Sequence, residues 1–308
     1  MTAKIPILII AGPTGSGKSA LALVLAQKYQ AEIVNMDAFQ LYRGMRIGTA
    51  QPSDEEQRIV PHWLYGFQDP SVGMTAAGYA VLADQAIQEI HSRGRRVLLV
   101  GGTGFYMRAL LYGLFEAPPI DEGLRKRLAE RAATPEGREA LALELSSIDP
   151  EAAARISKND VYRINRALEV FYQSGKPLSA HHKEHQRPER YEHRILALEV
   201  EKLQLQERQQ ARVRSMFELG WEAEVRALLA AGVTAEAPGF RAIGYRSVAE
   251  LVGGRKNREE VLAEVSKEHQ QYAKRQRTWL RAEKQTESAT LQETMSTLTP
   301  STKWWSSH

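Results

Sequence analysis

The stretch ILIIAGPTGSGKS, Ile7 to Ser19, decides the fold of this chain. Its first four residues are a continuous apolar run, the pattern of a strand buried on both faces. Gly12-x4-Gly17-Lys18-Ser19 follows at once, and Ala20 to Tyr29 then carries Leu21, Val24, Leu25 and Lys28 at helical spacing. Strand, glycine loop and helix in that order make a complete P-loop. Its glycines let backbone N–H groups converge on phosphate oxygens, and the helix N-terminus adds a partial positive charge. Lys18 is placed to reach the terminal phosphates and Ser19 to ligate Mg²⁺. Gly12, Pro13, Thr14, Gly15, Ser16, Gly17, Lys18 and Ser19 are therefore the candidate residues for binding a di- or triphosphate.

Outward from this loop, Ala31 to Met36 reads as a second strand ending at Asp37. Ala76 to Arg93 is a long helical pattern closed by Gly94, and Arg96 to Val100 is another buried strand ending in Gly101-Gly102. Such alternation predicts a parallel sheet with helices on both faces. After Pro118-Pro119 the character changes, and Ile120 to Tyr172 is rich in Ala, Leu, Glu and Arg with almost no strand-like run. Ile195 to Val200 returns to a strand, while Leu203 to Ala231 and Arg258 to Glu283 read as helical stretches over the core. The expected architecture is α/β: a P-loop parallel-sheet core, residues 1–116 and 195–285, interrupted by an inserted all-helical domain at 117–194. From Thr286 to Thr302 nine of 17 residues are Ser or Thr, so 286–308 is expected to be a disordered tail.

At ~150 residues per domain, 308 residues fit this two-part organisation. The absence of cysteine excludes a disulfide framework, a thiolate zinc site, an iron–sulfur cluster and a cysteine nucleophile. The apolar stretch Ile5 to Ala11, broken by Pro6, is too short to span a membrane. A cytoplasmic, membrane-free monomer is expected. Net charge is 41 − 37 = +4, but its placement says more than its size. Lys267 to Lys284 carries six Lys/Arg against two Glu, and Arg155 to Arg194 nine against five acids. Two such stretches are the footprint of a polyanion binder or a pair of solvated helix faces.

The strand RVLLV ends without a carboxylate, so the acid that usually follows a second strand in nucleotide-hydrolysing P-loop proteins is missing. Asp37 is the only acid well placed at a strand end. It suits the base of a kinase or another transferase, or the cap of a turn. Gly101-Gly102-Thr103-Gly104 opens another strand-to-helix turn, where glycines serve either close ligand approach or packing. His181, His182 and His185 lack a matched acid or thiolate for zinc and read as a solvated loop. No nucleophile elbow for hydrolase chemistry is present. Tyr272 to Arg281 interleaves cations with aromatics, which suits phosphate contact together with base stacking, with Trp279 mostly core.

Seven segments then occur in a telling order: the P-loop, NMDAFQLYRGMRIGTAQP (Asn35–Pro52), VGGTGFY (Val100–Tyr106), IDPEAAARI (Ile148–Ile156), RINRALEVF (Arg163–Phe171), FRAIGYRS (Phe240–Ser247) and YAKRQRTWLR (Tyr272–Arg281). Across residues 5–283 the chain resembles the tRNA dimethylallyltransferases, also called tRNA isopentenyltransferases. That family moves a dimethylallyl group from dimethylallyl diphosphate to N6 of the adenine immediately 3′ of the anticodon.

The resemblance implies that Thr14 to Ser19 line the diphosphate site with Mg²⁺ near Ser19, and that Arg208 and Arg212 close over it. It implies a catalytic set of Asp37, Thr103 and Lys18, with Asp37 accepting a hydrogen bond or proton from the adenine amine. Ala38, Phe39, Gln40 and Thr103 would meet the flipped-out nucleotide, Gln40 through an amide that both donates and accepts. Arg125, Tyr162, Arg163, Ile164, Asn165, Arg166, Arg241, Arg246, Lys274, Arg275 and Arg277 would contact tRNA, with the insertion clasping the anticodon stem-loop. The chain departs from the family pattern at Ala38, usually Ser, at Tyr162, often Gln, and at His269-Gln270, usually Thr-Arg. Two other readings stand beside it. A small-molecule kinase with Asp37 as base would turn over ATP, and a phosphate-gated RNA-binding module would bind RNA without forming a product.

Overall fold

A computed structural model describes residues 4–115, 121–185, 189–296 and 299–307. The chain forms two compact units, Met1–Tyr112 with Glu189–His308, and Gly113–Pro188. In chain order the first unit begins β1 (Pro6–Ala11), α1 (Lys18–Tyr29), β2 (Ala31–Met36), α2 (Arg46–Thr49), α3 (Asp54–Ile59), β3 (His62–Trp63), α4 (Ala76–Ser92), β4 (Arg96–Gly101) and α5 (Gly104–Tyr112). The second unit is helical: α6 (Glu122–Arg131), α7 (Pro135–Ile148), α8 (Pro150–Arg155), α9 (Val161–Ser174) and α10 (Leu178–Glu184). The first unit then resumes with β5 (Glu192–Glu199), α11 (Lys202–Glu218), α12 (Trp221–Ala230), α13 (Tyr245–Val252), α14 (Arg258–Arg281), β6 (Thr286–Thr290), α15 (Leu291–Ser296) and α16 (Pro300–Ser306).

The six strands form one wholly parallel sheet in the order β3-β2-β4-β1-β5-β6. Central β1 lies between β4 and β5, with Ile7 opposite both Val97 and His193. Ile7 to Ala11 have no exposed surface, as a strand covered on both faces requires. Every residue of β2 is buried too, including Glu32. That carboxylate is matched by a bidentate Arg93 at 2.8 and 2.9 Å and by the Trp63 indole N–H at 2.7 Å. A buried charge so paired satisfies its polar atoms inside the sheet.

Several expectations need correction. The buried stripe of α1 is Leu21, Ala22, Leu25 and Ala26, whereas Val24 is largely exposed, because the helix packs through small residues on the sheet. The stretch 203–231 is two helices, broken at Gly220 with φ of 98°. β5 starts at Glu192 rather than 195. Its first residues alternate exposed and buried, so the apolar run shows only the strand's inner half. The break proposed at Pro118-Pro119 lies outside the described residues.

The expected disordered tail is ordered where described. β6 pairs in parallel with β5, Ile195 opposite Thr286, and Trp305 of α16 is fully buried in the sheet's core. Serine and threonine here act as caps and strand residues: Thr299 caps α16 through the Thr302 amide.

The second unit has its own small core of Leu128, Leu141, Leu145, Ile164, Ala167 and Leu168. Side-chain caps start four of its helices, at Asp121, Thr134, Asp149 and Asp160. Asp149 also accepts from the Ser179 amide at 2.8 Å, tying α8 to α10. His181, His182 and His185 are not a solvated loop. The first two lie on α10 and the third follows it, and their rings gather round Phe115 with centroids 5.1–6.4 Å away. No group of three metal-ligating side chains occurs among the described residues. No described helix is long and apolar enough to cross a membrane.

Candidate active site

The P-loop joins β1 to α1 at the carboxyl edge of the sheet. Gly15 and Gly17 take φ of 86° and 95°, a region costly for any residue with a Cβ. Thr14 in the loop is held from both sides. Its N–H donates to Oε1 of Gln276 at 2.9 Å, and its carbonyl accepts from Nε2 of Gln209 at 2.9 Å. Gln276 also donates to the Gly102 carbonyl at 3.1 Å, so one buried amide ties the two glycine turns together. The hydroxyl of Ser16 is fully buried without a partner among the described residues.

Thr14, Lys18 and Ser19 line a cavity with Asp37, Phe39, Gln40, Arg212, His269, Tyr272 and Gln276. The Lys18 ammonium donates to the Pro13 carbonyl at 3.0 Å. Desolvation, reinforced by Arg212 and partly offset by Asp37, pushes Lys18 down to about 8. Arg212 is itself lowered by desolvation, and its Nε is buried without a partner among the described residues. Desolvation pushes His269 down to about 4, keeping the ring beside Arg212 neutral near pH 7. Two adjacent cations, one short of partners, make a site that a diphosphate anion would stabilise. Arg208, one turn earlier on α11, is half-buried and does not line this cavity.

Asp37 caps its own turn: Oδ1 accepts from the Phe39 and Gln40 amides at 2.9 and 3.4 Å. Oδ2 has no partner among the described residues, and Asp37 belongs to the cavity lining. The turn-cap reading of Asp37 is met by Oδ1 alone. The Thr103 hydroxyl accepts from the Ala38 amide at 3.1 Å, and its N–H donates to Met36 at 3.2 Å. Thr103 therefore joins β2's end to the second glycine turn.

The glycines of that turn are there for packing. A Cβ at Gly101 would collide with the Met36 backbone, at Gly102 with Gln276 and at Gly104 with Trp279. Gln40 differs from expectation as well, because Nε2 already donates to the Thr49 and Ala50 carbonyls at 3.0 and 2.7 Å. Only its oxygen remains to meet a ligand.

On α14, Lys274 and Arg275 are exposed, as are Arg241 and Arg246. Arg277 faces elsewhere, donating to the Val200 carbonyl at 2.6 Å. In the second unit Tyr162 and Arg163 are exposed, and the Arg163 guanidinium pairs with Asp160 at 3.4 Å. Arg125 and Arg166 pair with the buried Glu169 at 3.3 and 3.1 Å. The Asn165 side-chain oxygen is buried without a partner among the described residues. Ile164 is core, 3% exposed, and offers no surface contact. Gln209 and Gln276 were missed by the sequence reading, and His269 was noted there only as a departure from the family pattern, not as a lining residue. Their signal was a polar side chain on an otherwise apolar helical stripe.

A P-loop, a strand-end aspartate that is the only carboxylate of the cavity lining, and Arg212 together make the site of a P-loop group-transfer enzyme. The IPP transferase family model matches residues 40–283, and the chain belongs to that family. It is 47% identical over 279 residues to the tRNA dimethylallyltransferase of Geobacter metallireducens, covering 90% of each chain. It is 45% identical to that of Myxococcus xanthus, covering 91% of each. Among solved structures it resembles the tRNA isopentenylpyrophosphate transferase of Bacillus halodurans, with 34% identity, TM-score 0.68, and 93% and 90% coverage of the two chains. It also resembles a eukaryotic dimethylallyltransferase described as acting on tRNA, with 26% identity, TM-score 0.79, and 95% and 76% coverage.

Proposed function

We propose that this protein transfers the dimethylallyl group of dimethylallyl diphosphate to N6 of the adenine immediately 3′ of the anticodon in tRNA. The products are N6-(dimethylallyl)adenosine and diphosphate. The observation that carries the reading is one cavity lined by P-loop residues, Lys18, Arg212 and Asp37, whose second carboxylate oxygen has no partner among the described residues.

The allylic C–O bond breaks, the N6–C bond forms, and the electron pair of the broken bond leaves with diphosphate. Lys18, Arg212 and the P-loop amides bind the charge that grows on that leaving group. An exocyclic amine is a poor nucleophile. Oδ2 of Asp37, held by the two amides on Oδ1, accepts the N6–H and takes the proton as charge builds on nitrogen. Reaching N6 requires the base to leave its stack. Lys274, Arg275, Arg241 and Arg246 provide exposed cations for phosphate contact, and on the second unit Arg163 adds another cation beside the exposed Tyr162 hydroxyl.

Mg²⁺ fits as an ion that arrives with the diphosphate. Ser19 lines the cavity, and among the described residues its hydroxyl has no partner and no cluster of three ligating side chains exists. Mg²⁺ typically takes one or two protein oxygens plus substrate phosphates and water. When bound it would neutralise leaving-group charge, with Ser19 as its protein ligand. Among the cavity's lining residues Asp37 is the only carboxylate; the kinase reading would use the same P-loop and Asp37, but membership of the IPP transferase family does not favour it.

The test is a nucleoside digest, read by mass spectrometry, of unmodified tRNA incubated with protein, Mg²⁺ and either dimethylallyl diphosphate or ATP. One dimethylallyl group on adenosine, only with the allylic donor, is expected. Asp37→Asn should lower turnover by about 10²–10⁴-fold, the usual span for a general base, while tRNA affinity stays within about twofold. ATP consumption without modified adenosine would overturn the reading.

A further inference from the structure

Glu224 lies on α12, outside every motif singled out above, and its carboxylate is committed to the wall of the cavity. Oε2 accepts from the Ile47 amide at 2.7 Å, and Oε1 from the Gly48 amide at 3.1 Å and the Tyr245 hydroxyl at 2.6 Å. These amides belong to the first turn of α2, which has no side-chain cap of its own. Glu224 supplies that cap from another element. Trp221 and Tyr245 fill the space a Cβ at Gly48 would need, so α2 lies flush against α12 and α13.

The turn fixed in this way ends in the Thr49 and Ala50 carbonyls, and these consume both amide hydrogens of Gln40. The Gln40 orientation follows: nitrogen toward α2, oxygen left without a partner among the described residues. Gln40, Gly48 and Thr49 line the same cavity as Asp37. The cavity therefore carries two acceptors, Gln40 Oε1 and Asp37 Oδ2, matching the two hydrogens of an exocyclic amine.

We propose that Glu224 is a positioning residue of the base-binding half of the site, pinning residues 47–50 so that Gln40 presents an acceptor and no donor. The ligand class is a nucleobase with a free amino group. The inference rests on the function proposed above, in which that amine is the nucleophile.

Initial rates of tRNA prenylation would be measured with the full chain for wild type, Glu224→Ala, Glu224→Gln, Gln40→Ala and the Gln40→Ala/Glu224→Ala double variant. Glu224→Ala should raise the tRNA KM about tenfold, as loss of a single well-made contact does, with the donor KM within about twofold. Glu224→Gln, which keeps one acceptor but opposes the other amide with its own N–H, should fall between. The double variant should match Gln40→Ala alone, because Glu224 acts through Gln40. Additive losses, a parallel rise in the donor KM, or an unchanged tRNA KM in Glu224→Ala would each overturn the proposal. A wild-type chain that leaves tRNA unmodified refutes the proposed function instead, so the two failures are separable.

Discussion

Lys18 shows how one residue's surroundings set its working range. Its ammonium has a single backbone partner, the Pro13 carbonyl, and a cationic neighbour in Arg212. Burial and that neighbour lower it to about 8 against an ordinary 10.5. The direction fixes the pH response. Below 8 the free enzyme presents a charged lysine to the donor; as pH rises through 8 that charge is lost and with it an attraction to diphosphate. The donor KM should therefore climb about tenfold per pH unit above 8, while the tRNA KM holds. Lys18→Arg keeps its charge through this range and should flatten the climb, though at a poorer absolute rate because the guanidinium is a different shape. A donor KM that rises equally in both proteins would remove Lys18 from the donor site.

At the scale of elements, α1 and β1 were legible because the P-loop binds its residue types to a local geometry. Strand, glycine turn and helix start all sit within about twenty residues, and Asp37 was legible for the same reason, at the end of β2. The contacts that hold these parts together were not. Gln209 and Gln276 reach Thr14 from helices separated from it by 195 and 262 residues, and no local pattern encodes such a meeting. Charge drew attention to α14, yet its cations face out, while Val261, Val265, His269, Ala273, Gln276 and Leu280 face in. A glutamine on that inward stripe has to be hydrogen-bonded, and here it bridges the two glycine turns. Gln276→Leu should cost about 1–3 kcal/mol of stability, the price of the unpaired Thr14 N–H and Gly102 carbonyl. It should also weaken inorganic diphosphate binding severalfold in calorimetry. Unchanged diphosphate affinity would mean the P-loop holds its shape without Gln276.

Across the whole of the larger unit, α1 is gripped along its length by a segment that the sequence presented as a polar tail. Leu291 of α15 lies against Gly17 at the start of α1, with Cδ2 2.8 Å from where a Cβ would sit. Trp305 of α16 meets the ring of Tyr29 at the other end of α1, edge-on at 5.7 Å. The Arg96 guanidinium donates to the Ser306 carbonyl at 3.1 Å, and β6 covers the open edge of β5. Mean composition hid this because two apolar anchors among capping serines and threonines suffice to order so short a stretch. Trp305→Ala should cost about 3–5 kcal/mol, the usual range for emptying a buried aromatic site. Because α1 begins with Lys18 and Ser19, inorganic diphosphate affinity should fall along with stability. Denaturant unfolding of wild type and variant, each with and without diphosphate, reads both quantities. A dangling tail would show a change within about 0.5 kcal/mol and the same stabilisation by diphosphate, since surface substitutions rarely do more.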